Sequence, residues 1–456
     1  MISVSSRPAS RPIQPGFVGL SIEVSALPEY VGAGPGVDPL FVQLVQRLAP
    51  GQQPVVRIGG NSTDQTWWPL PGVAQPAGVN YALTPAWLSA ARALAQALHG
   101  KLILGVNLAA DDPAIAVAEA REFEIGIGTQ HIEALEIGNE ADLYGRKASY
   151  RAGQPSPILA RPAWYDLAAF AAEFARFRGA LAPAPVAGPT FAWLQWMGGL
   201  GRFVAGEPGL AVVTFHRYPL RGCNYPPSSP LYASIPHLLS DYASGGLAQQ
   251  VAGYAAEAHA HGLPFRIDEI NSASCAGKSA VSDSFASALW ALGTLLDLAR
   301  AGVDGVNVHT FPGAGYELFT FRLLAGRWRA SIKPEYYGLE LFAQAAPPGS
   351  RLLETTGARG PVRAWAVRAP DGTIRVVLIN AGVRGAQTVA VAVPAPDGIA
   401  TLTRLIAPGA ASTTGVKLTP PHLALAAGGR FLLTLPAASA AVLTVVHGLT
   451  AAPPPG

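Results

Sequence analysis

Residues 132–145 read IEALEIGNEADLYG, an apolar run that turns at Gly138 and places Asn139 and Glu140 at its tip. The apolar residues up to Ile137 predict a buried strand. A carboxylate withdrawn from water costs free energy unless it is paired or takes part in chemistry. The Asn–Glu pair therefore indicates either a structural ion pair or a catalytic group, and this stretch alone does not separate the two.

Similar apolar runs recur through the first three quarters of the chain, at 17–22, 54–58, 101–107, 132–137, 185–189, 211–215, 264–268 and 305–309. Longer segments between and after them have helical spacing, among them 84–98, 163–181, 282–301 and 335–345. Eight strands that alternate with helices predict a (β/α)₈ barrel, an α/β fold. A doubly wound open sheet is the alternative, but it usually carries a Gly-rich phosphate turn after its first strand, and this sequence has none there.

The pattern changes after about residue 348, where short β-branched runs are separated by turn sequences such as APDG and AAGG, at 362–368, 374–380, 387–393, 398–406, 430–435 and 440–446. Short strands with such turns predict an antiparallel β-sandwich. The opening residues MISVSS alternate like a strand and are expected to join it. We therefore predict a catalytic barrel over 12–347 and a supporting sandwich domain built from 1–11 and 348–450.

The composition narrows the classes of partner. The chain has 456 residues, of which 50% are hydrophobic and 13% are charged, with a formal net charge of +3. Because this charge is small and no Lys/Arg run concentrates it, neither nucleic acid nor an anionic membrane is expected as a partner. No apolar run reaches the roughly 18 residues of a membrane-spanning helix. Two cysteines and the well-separated His216 and His309 do not make a metal site, so no metal or cofactor is predicted.

The seventh run supplies a second carboxylate at a strand tip. The stretch PFRIDEINSASCAG, 264–277, ends its apolar part at Asp268 and Glu269. Strands four and seven stand on opposite sides of an eight-stranded barrel, so their ends face each other across the mouth. Glycoside hydrolysis uses two opposed carboxyl groups, one as a general acid and the other as a nucleophile or base. Alternation is expected to point Asp268 away from the side of Glu269, and a salt bridge from Arg57 or Arg266 is the structural alternative for Glu269.

LEIGNE on strand four and IDEINS on strand seven together resemble the clan of retaining (β/α)₈ glycosidases, clan A. VVRIGGNSTD (55–64), FHRYP (215–219), GKSAVSDSFASALW (277–290) and FPGAGY (311–316) more narrowly resemble the heparanase and β-glucuronidase family, glycoside hydrolase family 79. The motifs keep their order across nearly the whole barrel. The resemblance implies a retaining, exo-acting β-glucuronidase that acts on a glycoside or oligosaccharide. An endo-acting heparanase-like enzyme, a β-glycosidase with a neutral glycone and a non-catalytic carbohydrate-binding barrel stay open as alternatives.

The resemblance also implies roles for individual residues. Glu140 matches the acid/base and Glu269 the nucleophile. Asn139 matches the amide that bonds the sugar 2-hydroxyl, a contact that strengthens in the oxocarbenium-like transition state. Tyr218 matches a tyrosine that touches the nucleophile and holds it ionised.

Four further positions match pocket-lining residues of the family. Glu23 matches an acidic residue that accepts hydrogen bonds from sugar hydroxyls, and Asn61 aligns with another position of the pocket wall. Gly315 and Tyr316 match the loop whose backbone N–H and phenol receive the carboxylate of a uronic acid.

The sequence departs from the family pattern at Ser274, where family members commonly carry a tyrosine as a second partner for that carboxylate. Either a neighbour such as Lys278 takes over this role, or the glycone is not a uronic acid.

Cys223 and Cys275 follow strands six and seven. Because the loops after adjacent strands lie side by side, these thiols are expected either to form a disulfide or to remain two unlinked buried thiols. A disulfide would indicate a secreted or periplasmic enzyme whose signal peptide is not in this chain, while a cytoplasmic location stays open. The oligomeric state is not predicted.

Overall fold

The computed structural model describes residues 1–32, 37–146, 159–394 and 399–446. Its centre is a closed barrel of eight parallel strands, which confirms the predicted (β/α)₈ fold. Each strand pairs with the next, and the eighth pairs with the first. Barrel strands 1 to 8 are, in chain order, Val18–Glu23, Val55–Gly59, Lys101–Val106, Ile132–Ile137, Val186–Phe191, Leu210–His216, Phe265–Ile270 and Gly305–Thr310.

Helices connect the barrel strands and cover the outside of the barrel. The α-helices are Leu27–Val31, Pro39–Leu48, Pro85–Leu98, Pro113–Phe123, Leu167–Leu181, Leu194–Met197, Leu200–Gly206, Ile235–Leu238, Gly245–Ala260, Phe285–Arg300 and Pro334–Ala345. The 3₁₀ turns are Val24–Ala26, Thr63–Gln65, Thr129–His131, Ala141–Leu143 and Asp241–Ala243, and Glu124–Gly128 is a π-helical turn. No helix among the described residues is both long enough and apolar enough to cross a membrane.

Several of these helices begin where the sequence offers a capping side chain. Asp38, Thr84, Asp112 and Asp166 each accept a hydrogen bond from a backbone N–H of the first helical turn. Such amides have no partner within the helix, so the caps stabilise each start by about 1 kcal/mol.

The inward-facing side chains of the barrel form two layers of different chemistry. Val55, Ile103, Ala134, Ala187 and Val212 make an apolar cluster near the amino ends of the strands. Above it, towards the carboxyl ends, the inward positions are polar and include the fully buried Arg57 and Glu136. The barrel interior therefore has an apolar layer near the amino ends of the strands and a charged layer near their carboxyl ends.

Ten further strands of the described residues form a mostly antiparallel sheet, consistent with the predicted β-sandwich. Its strands are Ile2–Pro8, Arg351–Thr356, Val362–Arg368, Ile374–Asn380, Gln387–Ala392, Ile399–Ile406, Lys417–Leu418, His422–Ala424, Phe431–Leu435 and Ser439–Val446. The opening strand pairs with two of the others. The domain boundaries remain a prediction, and residues 447–450 lie outside the described residues.

The sheet and the barrel share a core. Trp365 packs beside Gly293 of the helix Phe285–Arg300, and its indole N–H donates to Asp297 Oδ1 at 2.8 Å. A second apolar cluster lies within the antiparallel domain itself and includes Ile2 and Phe431.

The remaining strands are short pairs near the carboxyl ends of the barrel strands and one hairpin. Thr66–Trp67 pairs with Tyr81–Ala82, and Leu220–Arg221 pairs with Ala273–Ser274. The hairpin strands are Phe319–Leu324 and Arg327–Ile332.

Candidate active site

The tip of barrel strand 4 is shaped by two left-handed residues. Gly138 has a φ of 76°, and a side chain there would lie 2.7 Å from the side chain of Leu108, so only glycine fits. Glu140 has a φ of 51°, which is rare for a residue with a side chain and costs about 1–3 kcal/mol. The Glu140 N–H donates to Thr190 O at 3.0 Å, which fixes the tip against strand 5. Backbone strain of this kind is typical of functional sites.

The tip of strand 7 differs from simple alternation. The pairing register shifts between Ile267 and Glu269 against strand 6. As a result Asp268 and Glu269 both face the barrel interior, and both are buried. The expectation that Asp268 points away from the side of Glu269 is therefore wrong, because the shift in pairing register changes the direction of one of the two side chains.

Glu140 and Glu269 face each other across the mouth, with His216 between them. One carboxylate oxygen of each lies within 4.8 Å of the other. The His216 Nδ1 atom is 3.3 Å from Glu140 Oε1 and 3.8 Å from Glu269 Oε2. The structure thus brings together the two carboxylates that the sequence singled out.

Glu269 is held in its ionised form. Arg57 Nη1 donates to Glu269 Oε2 at 2.5 Å, and the Tyr218 hydroxyl donates to Oε1 at 2.7 Å. Burial by itself would raise the pKa of this carboxyl, but His309, His216, Arg57 and the Tyr218 hydroxyl outweigh it and hold the pKa of Glu269 below its ordinary value. A buried carboxylate that remains anionic is suited to act as a nucleophile.

Arg57 is the centre of this network. Its Nε donates to Glu136 Oε2 at 2.7 Å, and its Nη2 donates to Asn139 Oδ1 at 2.8 Å. Burial opposes its charge, yet Glu136, Glu269 and Asp268 raise the pKa of the guanidinium well above its ordinary value. Arg57 therefore orients the Asn139 amide and neutralises the carboxylates at the same time.

Sequence reasoning treated Arg57 only as an alternative partner of Glu269. The available signal was an arginine in the middle of the buried strand VVRIG, since an arginine is almost never fully buried without a partner. Arg266, the other alternative, lies elsewhere and donates to Asn307 Oδ1 at 2.8 Å and to Gly16 O at 3.1 Å.

Asp268 is the third carboxyl group of the cluster around Arg57. Burial first, and then the charge of Glu136 and a hydrogen bond to it, raise the pKa of Asp268 well above its ordinary value. Both carboxyl oxygens of Asp268 are buried, and Oδ2 lies 3.9 Å from Arg57 Nε. Asp268 therefore belongs to the same buried cluster as Glu136 and Glu269.

Glu23, at the end of strand 1, is fixed by the turn after strand 2. It accepts hydrogen bonds from the backbone N–H groups of Ser62 at 2.8 Å and Asn61 at 3.2 Å, and from the Ser62 hydroxyl. Gly60 has a φ of 76°, and a side chain there would lie 2.5 Å from the Glu23 carboxyl group. Asn61 meets Glu23 through its backbone and is exposed. Glu23, Asn61 and Phe311 line a cavity of about 300 Å³.

Tyr316 and Gly315 pack against the other loops of the mouth. The buried ring of Tyr316 lies 6.2 Å from the ring of Tyr218, centroid to centroid. The Gly315 N–H donates to Ala276 O at 2.7 Å, so it is used within the protein. The role of this N–H as a donor to a sugar carboxylate stays a prediction, and it would require the bond to Ala276 O to be exchanged or shared.

A disulfide joins the loops after strands 6 and 7. Cys223 and Cys275 are bonded, with their Cα atoms 6.0 Å apart and a sequence separation of 52. The pairing of Arg221 with Ser274 in two short strands brings the loops together just before the disulfide.

Two cations lie beside this disulfide. Arg221 Nη1 donates to Ser274 Oγ at 3.2 Å. The Lys278 ammonium lies 3.5 Å from the centroid of the Tyr232 ring. Within the described ranges of the chain, neither cation has a carboxylate within 4.0 Å. Sequence reasoning missed Arg221, although its place three residues after Tyr218 in the same loop could have indicated it.

Among the residues that the structure describes, two sets of donor atoms are close enough for a cation: Glu136, His216 and Asp268, and Glu140, His216 and Glu269. The Arg57 guanidinium already faces Glu136 and Glu269. It therefore supplies the positive charge that a metal ion would bring to these carboxylates.

No family model and no curated protein matches the chain. Its fold is similar to that of a 4-O-α-L-rhamnosyl-β-D-glucuronidase from Fusarium oxysporum 12S, solved as a Rha-GlcA complex, with a TM-score of 0.74, 20% identity, and coverage of 97% of this chain and 100% of that chain. A family 51 α-L-arabinofuranosidase, AbfB, from Bifidobacterium longum gives a TM-score of 0.67 at 14% identity, covering 97% and 99% of the two chains. A GH51 arabinofuranosidase from Xanthomonas axonopodis pv. citri gives 0.66 at 15% identity with the same coverage. These structural neighbours are glycoside hydrolases, and at such identities the similarity is one of fold.

Proposed function

We propose that this chain is a retaining, exo-acting β-glucuronidase that removes terminal β-D-glucuronate from a glycoside or oligosaccharide. The observation that carries the proposal is the approach of Glu140 and Glu269, with one oxygen of each within 4.8 Å of the other. Retaining glycosidases place their two carboxyl groups about 5–5.5 Å apart, whereas inverting enzymes leave about 6.5–9.5 Å for a water molecule.

In this proposal Glu269 attacks the anomeric carbon while Glu140 protonates the leaving oxygen. A covalent glycosyl-enzyme forms, and Glu140 then takes a proton from the water that hydrolyses it. Arg57 and Tyr218 keep Glu269 anionic before attack. Because Asn139 accepts from Arg57 through Oδ1, its NH₂ group is left to donate to the sugar 2-hydroxyl.

An acidic glycone is supported by the charges beside the disulfide. Arg221 and Lys278 carry positive charges without a carboxylate partner among the described residues. Arg221 bonds Ser274, at the place where a second carboxylate ligand is missing from the sequence pattern, and Lys278 lies four residues further along the same loop. We assign them, with the Tyr316 phenol, to the uronate carboxylate. One of the structural neighbours, the Fusarium enzyme, is a β-D-glucuronidase, which fits this assignment.

The cavity of about 300 Å³ beside Glu23, the residue assigned to sugar hydroxyls, is at the low end of ligand pockets in volume. The disulfide supports a secreted or periplasmic location, because such bonds rarely persist in a reducing cytosol.

The proposal is tested with p-nitrophenyl glycosides and with NMR of the first-formed product. We expect the β-glucuronide to be hydrolysed at least about tenfold better than the β-glucoside or β-xyloside, because the carboxylate gains charge-assisted hydrogen bonds. The anomeric configuration should be retained. An inverted first product would contradict the assignment of Glu269 as nucleophile, and equal turnover of the three sugars would contradict the assignment of the glycone.

Replacing both cations, as Arg221→Gln with Lys278→Gln, should lower the ratio of kcat/KM for the β-glucuronide to that for the β-glucoside. A hydrogen bond to a charged group contributes about 1.5–3 kcal/mol, so the ratio should fall by about ten- to a hundredfold. The double variant Arg92→Gln with Lys417→Gln removes the same charge from exposed positions and should leave the ratio unchanged. An unchanged ratio in the first variant would remove both residues from the glycone site.

Tyr218→Phe should move the acid limb of the kcat/KM profile to higher pH. Glu269 must be ionised to attack, so activity is lost as the pH falls through its pKa. The Tyr218 hydroxyl helps to hold that pKa down, and its loss lets the pKa rise. At neutral pH we expect roughly a tenfold lower kcat/KM. Tyr254→Phe, which removes a hydroxyl bonded to Leu194 O, is the control and should leave the profile in place.

A further inference from the structure

The hairpin after barrel strand 8 begins at the catalytic end of the barrel. Its base is fixed there because the Leu318 N–H donates to the Thr310 hydroxyl at 3.0 Å and the Lys333 N–H donates to Leu318 O at 2.8 Å. The strands Phe319–Leu324 and Arg327–Ile332 then run to a turn at Ala325 and Gly326. At about 3.4 Å per residue, the turn lies roughly 17 Å from the base.

One face of the hairpin is anchored to the barrel by aromatic packing. The Phe321 ring lies 5.7 Å from that of Phe41, and the Phe319 ring lies 5.9 Å from that of Tyr30. This packing anchors the base of the hairpin, and the opposite face is exposed.

The second face carries three exposed arginines, Arg322, Arg327 and Arg329, and we call it the arginine face. Arg322 stands directly opposite Arg329 in the pairing, and Arg327 stands opposite the exposed Leu324. Like charges directly opposite each other destabilise a hairpin. Across the described parts of the chain, none of the three arginines has a carboxylate within 4.0 Å, so the repulsion is not balanced by the protein.

We propose that the arginine face binds an extended acidic glycan, a chain whose uronate carboxylates or sulfates pair with the three guanidinium groups. Arginine presents planar, bidentate donors that suit such oxyanions, and Leu324 adds an apolar contact for a sugar ring. The choice of a glycan rests on the proposed function, but the binding requires no turnover.

Other polyanions fit this face less well. Proteins that bind duplex DNA tightly make about six to ten phosphate contacts, and polybasic membrane-binding segments carry about four to eight Lys or Arg residues. Three arginines on a chain with a formal net charge of +3 match neither pattern.

The test measures binding of polygalacturonate to the intact protein by calorimetry at low salt. The variant Arg322→Gln with Arg327→Gln and Arg329→Gln should bind about tenfold more weakly, because three exposed charge pairs are lost. The matched control, Arg359→Gln with Arg384→Gln and Arg430→Gln, removes three exposed charges from the antiparallel domain and should bind like the wild type. Fully methyl-esterified polygalacturonate, which has the same backbone without charge, should bind to none of them.

Thermal melting separates loss of binding from loss of folding. Because the substitution relieves the repulsion between Arg322 and Arg329, the variant should melt no lower than the wild type. The proposal would be overturned if both triple variants lost the same affinity for polygalacturonate. It would also be overturned if the methyl-esterified polymer bound the wild type as tightly as polygalacturonate does. Tighter binding of duplex DNA or of phosphatidylserine-containing vesicles than of polygalacturonate would also overturn it. Failure of the protein to cleave any glycoside would count against the proposed function and leave this binding result unaffected.

Discussion

Glu269→Gln should abolish turnover of every glycoside, with kcat lower by about 10⁵-fold or more, because no covalent glycosyl-enzyme can form. Gln keeps the size of the side chain and one oxygen that can accept from Arg57, while its NH₂ group replaces the oxygen that accepts from Tyr218, and it cannot attack the anomeric carbon. Single-turnover kinetics with p-nitrophenyl β-glucuronide measure the loss, and a thermal melt shows whether the variant is folded.

Glu140→Ala should behave differently and thereby assign the second role. Substrates with good leaving groups need no protonation in the first step, so their glycosylation should persist, whereas substrates with poor leaving groups should lose about 10²–10⁴-fold. Azide can enter the space that Glu140 leaves and should restore turnover with retained configuration. Two results together would refute the role of Glu140 as acid/base. Glu140→Ala would lose activity equally on good and poor leaving groups, and azide would rescue only the Glu269 variant, with an inverted product.

Arg57→Met should destabilise the protein by about 3–5 kcal/mol and remove activity, because it leaves the buried Glu136 and Glu269 without their guanidinium partner. The pKa of Glu269 should rise, since Arg57 is one of the groups that lower it. Urea-induced unfolding measures the loss of stability, and kcat/KM measured on the folded fraction measures the loss of activity.

Two further variants test this explanation of Arg57. Glu136→Gln added to Arg57→Met removes one of the uncompensated charges and should restore part of the stability. Arg266→Met replaces a buried arginine that bonds Asn307 and Gly16, away from Glu269, and should lower stability while the folded fraction retains its activity. Full activity in folded Arg57→Met would show that Glu269 does not depend on this cation.

The sequence by itself determined the parts of the protein that depend on local pattern. Apolar runs alternating with helical spacing fixed the order of eight strands, because burial on both faces of a parallel sheet demands that pattern. The same reasoning placed Glu140 and Glu269 at strand tips, and barrel geometry then required their ends to share one mouth. Short β-branched runs likewise indicated the antiparallel domain.

Only the tertiary structure decided how side chains meet across the barrel. Arg57 and Glu269 are 212 residues apart in sequence, and no local pattern shows that the guanidinium meets the carboxylate at 2.5 Å. The register shift that turns Asp268 inwards depends on pairing with the neighbouring strands. The hydrogen bond from the Gly315 N–H to Ala276 O depends on how two loops pack. Alternation and motifs describe one segment at a time, whereas these contacts arise when distant segments exclude water from a shared interior and must satisfy each other's charges and hydrogen bonds.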